Sequence, residues 1–287
     1  MAKETQKKDY LKVKDYAVSG EEFQLIENPE YGFLETSPQP LEDKLPEYYQ
    51  SEDYISHTDS KRNLFEKAYH LVRSISLRSK LNLINSFSTE NKTLLDVGCG
   101  TGDFLQKAQQ SNWKVFGIEP NNEAREIANI KTKKAVYGND KLLNFEKQSF
   151  DVITLWHVLE HLTNLEMNVK QFYELLKPEG TLIIAVPNYK SFDALHYKNF
   201  WAAYDVPRHL WHFNKASISK LVSKQSFKVV KTKPMWFDAF YVSLLSEKYK
   251  TGKMSFIKGF WYGMLSNLKA VISNEASSII YIIQKAY

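Results

Sequence analysis

The stretch WHVLEHL, Trp156 to Leu162, holds His157, Glu160 and His161 in the pattern H-x-x-E-H. On one turn of a continuous helix, two imidazoles at that spacing can bind zinc while the carboxylate activates a metal-bound water, which is hydrolase chemistry. The flanking residues argue against such a helix. FDVITL (150–155) has the apolar run of a buried strand, and T-N-L-E at Thr163–Glu166 has the form of a capping box, with Thr163 as N-cap and Glu166 at N3. HVLEH then falls in a short turn between strand and helix, where the two histidines do not share a face. A zinc hydrolase built on His157, Glu160 and His161 is the competing reading.

A second group of residues points to a different chemistry. LLDVGCGTGDF places Gly98, Gly100 and Gly102 directly after one strand and at the start of a helix. Such a turn lets a ligand approach the backbone, while the helix N-terminus presents free N–H groups. The dinucleotide fingerprint G-x-G-x-x-G would need glycine at 103, where Asp103 stands. Asp96, two residues before the first glycine, would repel a pyrophosphate and attract a cation. Glu119 ends the next strand about 20 residues on, where an acid can accept both ribose hydroxyls. Two acids around a glycine turn suit a nucleoside that carries positive charge and no phosphate, a description met by S-adenosyl-L-methionine with its sulfonium and ammonium.

D-V-G-C-G-T-G, the acid of G-I-E-P, F-D-V-I-T-L followed by H-V-L-E-H-L, and L-K-P-E-G-T-L-I-I-A-V-P-N together resemble a class I S-adenosylmethionine-dependent methyltransferase over about residues 91–187. The resemblance implies a Rossmann-like α/β fold, with a seven-stranded, mostly parallel sheet whose last strand is antiparallel. It also implies S-adenosyl-L-methionine as cofactor and S-adenosyl-L-homocysteine as product. Asp96, Gly98, Cys99, Gly100, Thr101 and Gly102 would line the methionine and ribose part, and Glu119 and Pro120 the ribose. Asn139 would lie at the adenine edge, with Trp156 and His157 beside the cofactor. Some quinone methyltransferases carry E-x-x-E-H at the HVLEH position and use it for a divalent ion; here His157 replaces the first acid, so no metal is expected.

These residues need a sheet to hold them. TLLDVG (93–98), KVFGIE (114–119), KAVYG (134–138), FDVITL (150–155) and TLIIAV (181–186) alternate with helical patterns at 104–110, 122–129 and from 163 to LLKPEG, the pattern of βαβ units. A helical period over 62–87 precedes them. FKVVKT (227–232) and SSIIYIIQK (277–285) complete seven strands. The organisation expected is a leader or cap over 1–60, a cofactor-binding core over 61–235 with an aromatic insertion at 188–213, and a helical insertion plus closing strand over 236–287.

The insertion, with NFWAAYDVPRHLWHF, follows the fifth strand at the carboxyl edge, where open α/β sheets bind ligands. Its aromatic rings could wall an apolar pocket, and Asp205, Arg208, His209 and His212 supply polar groups. Methyl transfer is an in-line displacement in which the protein orients the acceptor and removes its proton. His209 is the favoured base, then His157, with Asp205 and His161 beside them. The leader resembles the front of a bacterial methyltransferase subgroup that often carries a zinc ribbon, but Asn28 and Tyr31 occupy the cysteine positions. Tyr48, Tyr49, Tyr54 and His57 are left as a possible cover over the pocket.

Composition narrows the partners. Hydrophobic residues make up 43% and charged residues 25%, as in ordinary globular chains, and the net charge of +5 is spread over scattered lysines. No clustered basic strip supports RNA, so a small-molecule or lipid-like acceptor is expected, most simply methylated on oxygen, with RNA or protein methylation as the alternative. Cys99 is the single cysteine, which leaves no internal disulfide or thiolate zinc cluster. The opening residues lack a secretory apolar run, so cytoplasm is the expected compartment. Residues 237–272 read as an aromatic helical segment too interrupted by Lys258, Asn267 and Lys269 to span a membrane. It suits a lid, a homodimer face in place of a monomer, or peripheral membrane contact.

Overall fold

The computed structural model describes residues 8–49, 64–89 and 91–286; Tyr54 and His57 lie outside them. Three leader strands come first, β1 (Lys8–Lys14), β2 (Glu22–Glu27) and β3 (Leu34–Ser37). Helix α1 (Leu64–Asn85) leads into β4 (Thr93–Val97), α2 (Asp103–Gln110), β5 (Lys114–Ile118), α3 (Asn122–Thr132) and β6 (Val136–Tyr137). Then follow β7 (Phe150–Trp156), α4 (Leu165–Leu175) and β8 (Leu176–Pro187). The insertion carries α5 (Phe192–Tyr197) and β9 (Trp211–His212), and α6 (Lys215–Ser223) and β10 (Phe227–Pro234) come after it. Helices α7 (Asp238–Thr251) and α8 (Phe256–Ser273) precede the closing strand β11 (Ser278–Lys285).

Seven strands form one sheet in the order β10-β11-β8-β7-β4-β5-β6. The β6–β5–β4–β7–β8 pairings are parallel, and β11 runs antiparallel to both β8 and β10. The fold is therefore the Rossmann-like sheet with an antiparallel last strand that the resemblance implies. Successive residues alternate between two cores, as the two-residue period of a strand demands. Leu95, Ile153 and Leu182 pack with Phe172 of α4 and Leu221 of α6, while Leu94, Val152 and Ile183 pack with Ile84 of α1 and Phe104 of α2. Each fully buried aliphatic contributes about 1.5–3 kcal/mol, so a polar residue at Ile153 or Leu182 would unseat the strands that carry the site.

The turn chemistry differs from expectation at one place. The N-cap of α4 is Asn164, not Thr163, and no side chain caps it. Glu166 does not reach back along the chain; it accepts a hydrogen bond from the Tyr31 hydroxyl of the leader. Asn214 caps α6 through a reciprocal box with Ser217. The helical stretch after β10 is a pair of helices broken at Gly252, whose φ of +74° closes α7.

Leader and insertion build a second sheet together, with antiparallel order β1-β2-β3-β9. Leu25 and Leu34 pack there against Tyr197, Trp201 and Tyr204. The insertion's rings are thus largely core, with Trp201 and Tyr204 buried, and Trp201 borders a crevice of about 10 Å³ beside Val13, Tyr16 and Arg208. At the leader turn the Asn28 carboxamide accepts the N–H groups of Glu30 and Tyr31 at 2.9 and 2.8 Å, so Asn28 and Tyr31 are joined through a side-chain hydrogen-bonded turn.

Candidate active site

Parallel pairing brings Asp96 beside Gly117 on one side and Thr154 on the other, so the loops after β4, β5 and β7 open at the same carboxyl edge. Asp96 is buried and accepts the Thr154 hydroxyl at 2.6 Å. Burial raises its carboxyl to about 7, against the opposing effects of that hydrogen bond and of Lys80. The loop after it is folded by glycine: Gly98, Gly100 and Gly102 all have left-handed φ. A Cβ at Gly98 would stand 2.4 Å from Val158 Cγ2, and one at Gly102 2.9 Å from Ala128 Cβ, whereas nothing lies within 4 Å above Gly100. Two glycines serve close packing; the third leaves room for a ligand.

Glu119, at the end of β5, closes this cradle. Its carboxylate accepts the Gly100 N–H at 2.8 Å and the Asn121 N–H at 3.0 Å. Arg125 donates to the carbonyls of Glu119 and Pro120 and braces the turn from behind. Thr101 turns away, its hydroxyl 3.2 Å from Asp103, and Asp103 is held by Arg73 and Lys131. Asn139 opens an exposed 3₁₀ turn at the far rim. Cys99 lies under the loop, and burial pushes its thiol well above the usual value. We expect a thiol-exchange reagent at pH 8 to label Cys99 only after unfolding; rapid labelling of the folded chain would contradict that placement.

The histidine turn is not a helix through the motif. Only Leu159–His161 forms a short 3₁₀ turn, and His157 precedes it with φ +57°. His157 Nε2 contacts Asp238 of α7 at 2.9 Å and its Nδ1 lies 3.4 Å from Glu160. Burial works against a charged ring, but the Asp238 hydrogen bond and charge, with Glu160, raise its pKa to about 10. His157 is therefore an imidazolium at neutral pH and not a free base, which corrects its second-choice assignment. His157 and His161 also face different partners, so the zinc pattern His157/Glu160/His161 does not assemble.

What does assemble is His161, His209 and Glu160. The rings of His161 and His209 meet edge to face with centroids 4.6 Å apart. His161 Nδ1 lies 2.9 Å from the Arg208 carbonyl and His209 Nδ1 2.9 Å from the Ala203 carbonyl. A carbonyl only accepts, so each Nδ1 bears a proton, and His209 can present its Nε2 lone pair. Burial lowers His209 to about 4, so the ring is neutral. Glu160 is buried and neither of its carboxylate oxygens has a hydrogen-bond partner; the 3.4 Å contact with His157 is an ion pair only. Burial pushes its carboxyl up, but opposing effects, the contact with His157 the largest, hold it below its usual value. Among the described residues these three are the group that could hold a cation, with donor atoms within 4.8 Å of one another.

Asp205 is an anchor. Arg208 binds both its oxygens, at 2.9 and 2.6 Å, and reaches Asp15 of the leader at 3.3 Å; Asp205 Oδ2 stands 3.9 Å from His209 Nε2. His212 is buried and bonded to Thr36 at 3.0 Å, away from any opening role. Of the leader tyrosines, Tyr49 reaches the site, its hydroxyl 3.0 Å from His161 Nδ1, and Tyr48 binds Glu21 instead. Two residues escaped sequence reasoning. Lys80 of α1 holds its ammonium 4.5 Å over the Trp156 ring, and Asp238 pairs with His157. A lysine on an amphipathic helix and an acid after an aromatic run give no local sign of either contact.

A model of the methyltransferase domain matches residues 65–232, more than half of the chain and all of the glycine cradle. The chain belongs to this methyltransferase-domain family. It is similar to the demethylmenaquinone methyltransferase of Lactococcus lactis, with 32% identity over 123 residues, 37% of this chain and 49% of that one. It is also similar to the mitochondrial ubiquinone biosynthesis O-methyltransferase of Rattus norvegicus, with 33% identity over 127 residues, 41% of this chain and 37% of that one. The chain thus spans about half, or less, of the length of these two relatives. The solved magnesium protoporphyrin IX methyltransferase of Synechocystis shares the fold at 15% identity and a TM-score of 0.52, over 85% of this chain and 94% of that one. The matched region stops before α7, so Asp238, which holds His157, comes from outside it, as does the leader that supplies Tyr49.

Proposed function

We propose that this methyltransferase takes its methyl group from S-adenosyl-L-methionine and places it on a hydroxyl of a small, ring-bearing or lipid-like acceptor. The observation that carries the reading is the pair of buried acids, Asp96 and Glu119, at the ends of adjacent strands around the open space over Gly100. The cofactor would supply an electrophilic methyl on a sulfonium. Glu119 would hold the ribose hydroxyls, and Asp96 would balance the cationic methionine end. The quinone relatives point to the acceptor class. His209 would accept the acceptor's proton at Nε2, with Glu160 and Asp205 balancing the charge formed there. Calorimetry tests the first step: S-adenosylmethionine and S-adenosylhomocysteine should both bind, and absence of heat with either would overturn the reading.

The raised pKa of Asp96 makes this binding depend on pH. The carboxyl sits near 7 without ligand, and a nearby cation favours its ionised form, so ligand binding expels a proton below that value. Affinity should be level above pH 7 and fall as pH drops, by up to about tenfold per unit. S-adenosylhomocysteine keeps the ammonium but not the sulfonium. Equal slopes for the two ligands would assign Asp96 to the ammonium, and a flat profile for both would remove Asp96 from cation recognition.

A further inference from the structure

Helix α8 is built inside out for water. The buried side carries Gly259, Gly263, Ser266 and Ala270, with the glycines against α7, Ser266 bonded to Asp193 of α5 and Ala270 in the sheet core. The packing is close: a Cβ at Gly259 would come within 2.8 Å of Leu244 Cα, and one at Gly263 within 2.7 Å of Phe240 Cα. The large apolar residues lie on the exposed side, where Phe260 also stacks on Phe240 of α7 with centroids 5.2 Å apart. Ile257, Phe260, Trp261, Leu268, Val271 and Ile272 are each at least 54% exposed, with Ile257 and Ile272 at 85% and 84%. Their positions fall on a single stripe of a 3.6-residue helix, opposite the small residues. In an aqueous helix pair the large residues would make the contact and the polar ones would face out. Small residues at the contact and large ones outward is the arrangement used where the surroundings are lipid.

Charge says what covers the stripe. Helix α8 contains no acid, and its two charged residues, Lys258 and Lys269, both fall along one flank of the stripe, with Lys253 just before the helix. Trp261 lies within the stripe, a residue that favours the boundary between headgroups and acyl chains. A groove of about 260 Å³, bordered by Lys233, Trp236, Val271 and Ile279, opens beside it. No helix among the described residues is long and apolar enough to cross a membrane, so the stripe suits a helix lying in the interface. A second copy of the chain would bring lysine against lysine, with no acid on either α8 to pair them.

We propose that the outward face of α8 docks the protein on an anionic lipid surface, with the apolar stripe in the headgroup boundary and the lysine flank on the phosphates. The test is sedimentation of the full chain with vesicles of phosphatidylcholine alone or mixed with phosphatidylglycerol, beside the variant I257S/L268S/I272S. These three side chains are exposed, so the variant should keep the wild-type thermal melt. The expected result is strong sedimentation with the mixed vesicles, weaker sedimentation with phosphatidylcholine alone, and a loss of about tenfold or more in the variant. The proposal is overturned by wild-type protein that ignores both vesicles or binds both equally. It is overturned too by a variant that binds like the wild type, or by a lipid-free dimer that the variant turns into monomer.

Discussion

Replacing Glu119 with Gln should weaken S-adenosylhomocysteine binding about a hundredfold. The carboxylate accepts from the Gly100 and Asn121 amides, and in the proposed complex it also accepts from the ribose. A glutamine of the same shape keeps one acceptor oxygen and turns an NH₂ group toward N–H groups that need an acceptor. Hydrogen bonds to a charged group contribute about 1.5–3 kcal/mol each, and about 1.4 kcal/mol is tenfold in affinity. Losing one at the high end, about 3 kcal/mol, gives the hundredfold. Titration calorimetry of both proteins measures it, with the thermal melt as control because the loop tie also weakens. A loss of less than threefold would mean that the acid holds the glycine loop and nothing else.

Glu119 was legible in the sequence because its position depends on local rules. A strand of fixed rise ends at a fixed edge, and the glycine turn sits at the corresponding edge of the neighbouring strand. Asp96, Gly98, Gly100 and Gly102 are within six residues of one another, so their grouping needed only the strand and the turn. The histidine site was legible in part. His161 and His209 lie 48 positions apart, and their meeting depends on the Leu210 N–H bonding the Glu160 carbonyl at 2.8 Å, a contact no periodicity announces. The Asp15–Arg208 pair and the Lys80–Trp156 contact escape for the same reason.

Two expectations went astray for identifiable causes. T-N-L-E satisfies the capping pattern, yet Tyr31 offers Glu166 a buried hydroxyl that backbone capping cannot match in that place. Capping boxes are local bargains, and a long-range donor can displace one. The aromatic insertion had the composition of a pocket wall, but the leader's strands lacked a core of their own and took Trp201 and Tyr204 as theirs. A leader that cannot bury enough apolar surface alone recruits it from whatever it packs on. The same packing ties Tyr49 to His161, so leader and site are mechanically one piece.

Replacing His209 with Asn should lower the rate of methyl transfer about a hundredfold or more while leaving cofactor affinity within about twofold, because positioned bases contribute roughly 10²–10⁴. Asparagine is the informative choice: its carboxamide N–H can still donate to the Ala203 carbonyl, as His209 Nδ1 does, so the buried loop stays satisfied while the Nε2 acceptor is gone. The rate is followed as S-adenosylhomocysteine release with a hydroxylated quinone precursor as acceptor. The pH profile separates this role from that of Asp96. His209 must be unprotonated to act, and its pKa is lowered to about 4, so the turnover number should hold down to about pH 5 and fall below it. The cofactor KM should already rise below pH 7, where Asp96 takes up its proton. Glu160→Gln tests the counter-charge: without the carboxylate, the proton taken up at His209 loses a stabilising neighbour, and turnover should fall with the histidine still in place. Unchanged turnover in the His209 variant would assign the proton to solvent and leave this cluster a purely structural tie between the histidine turn, the insertion and the leader.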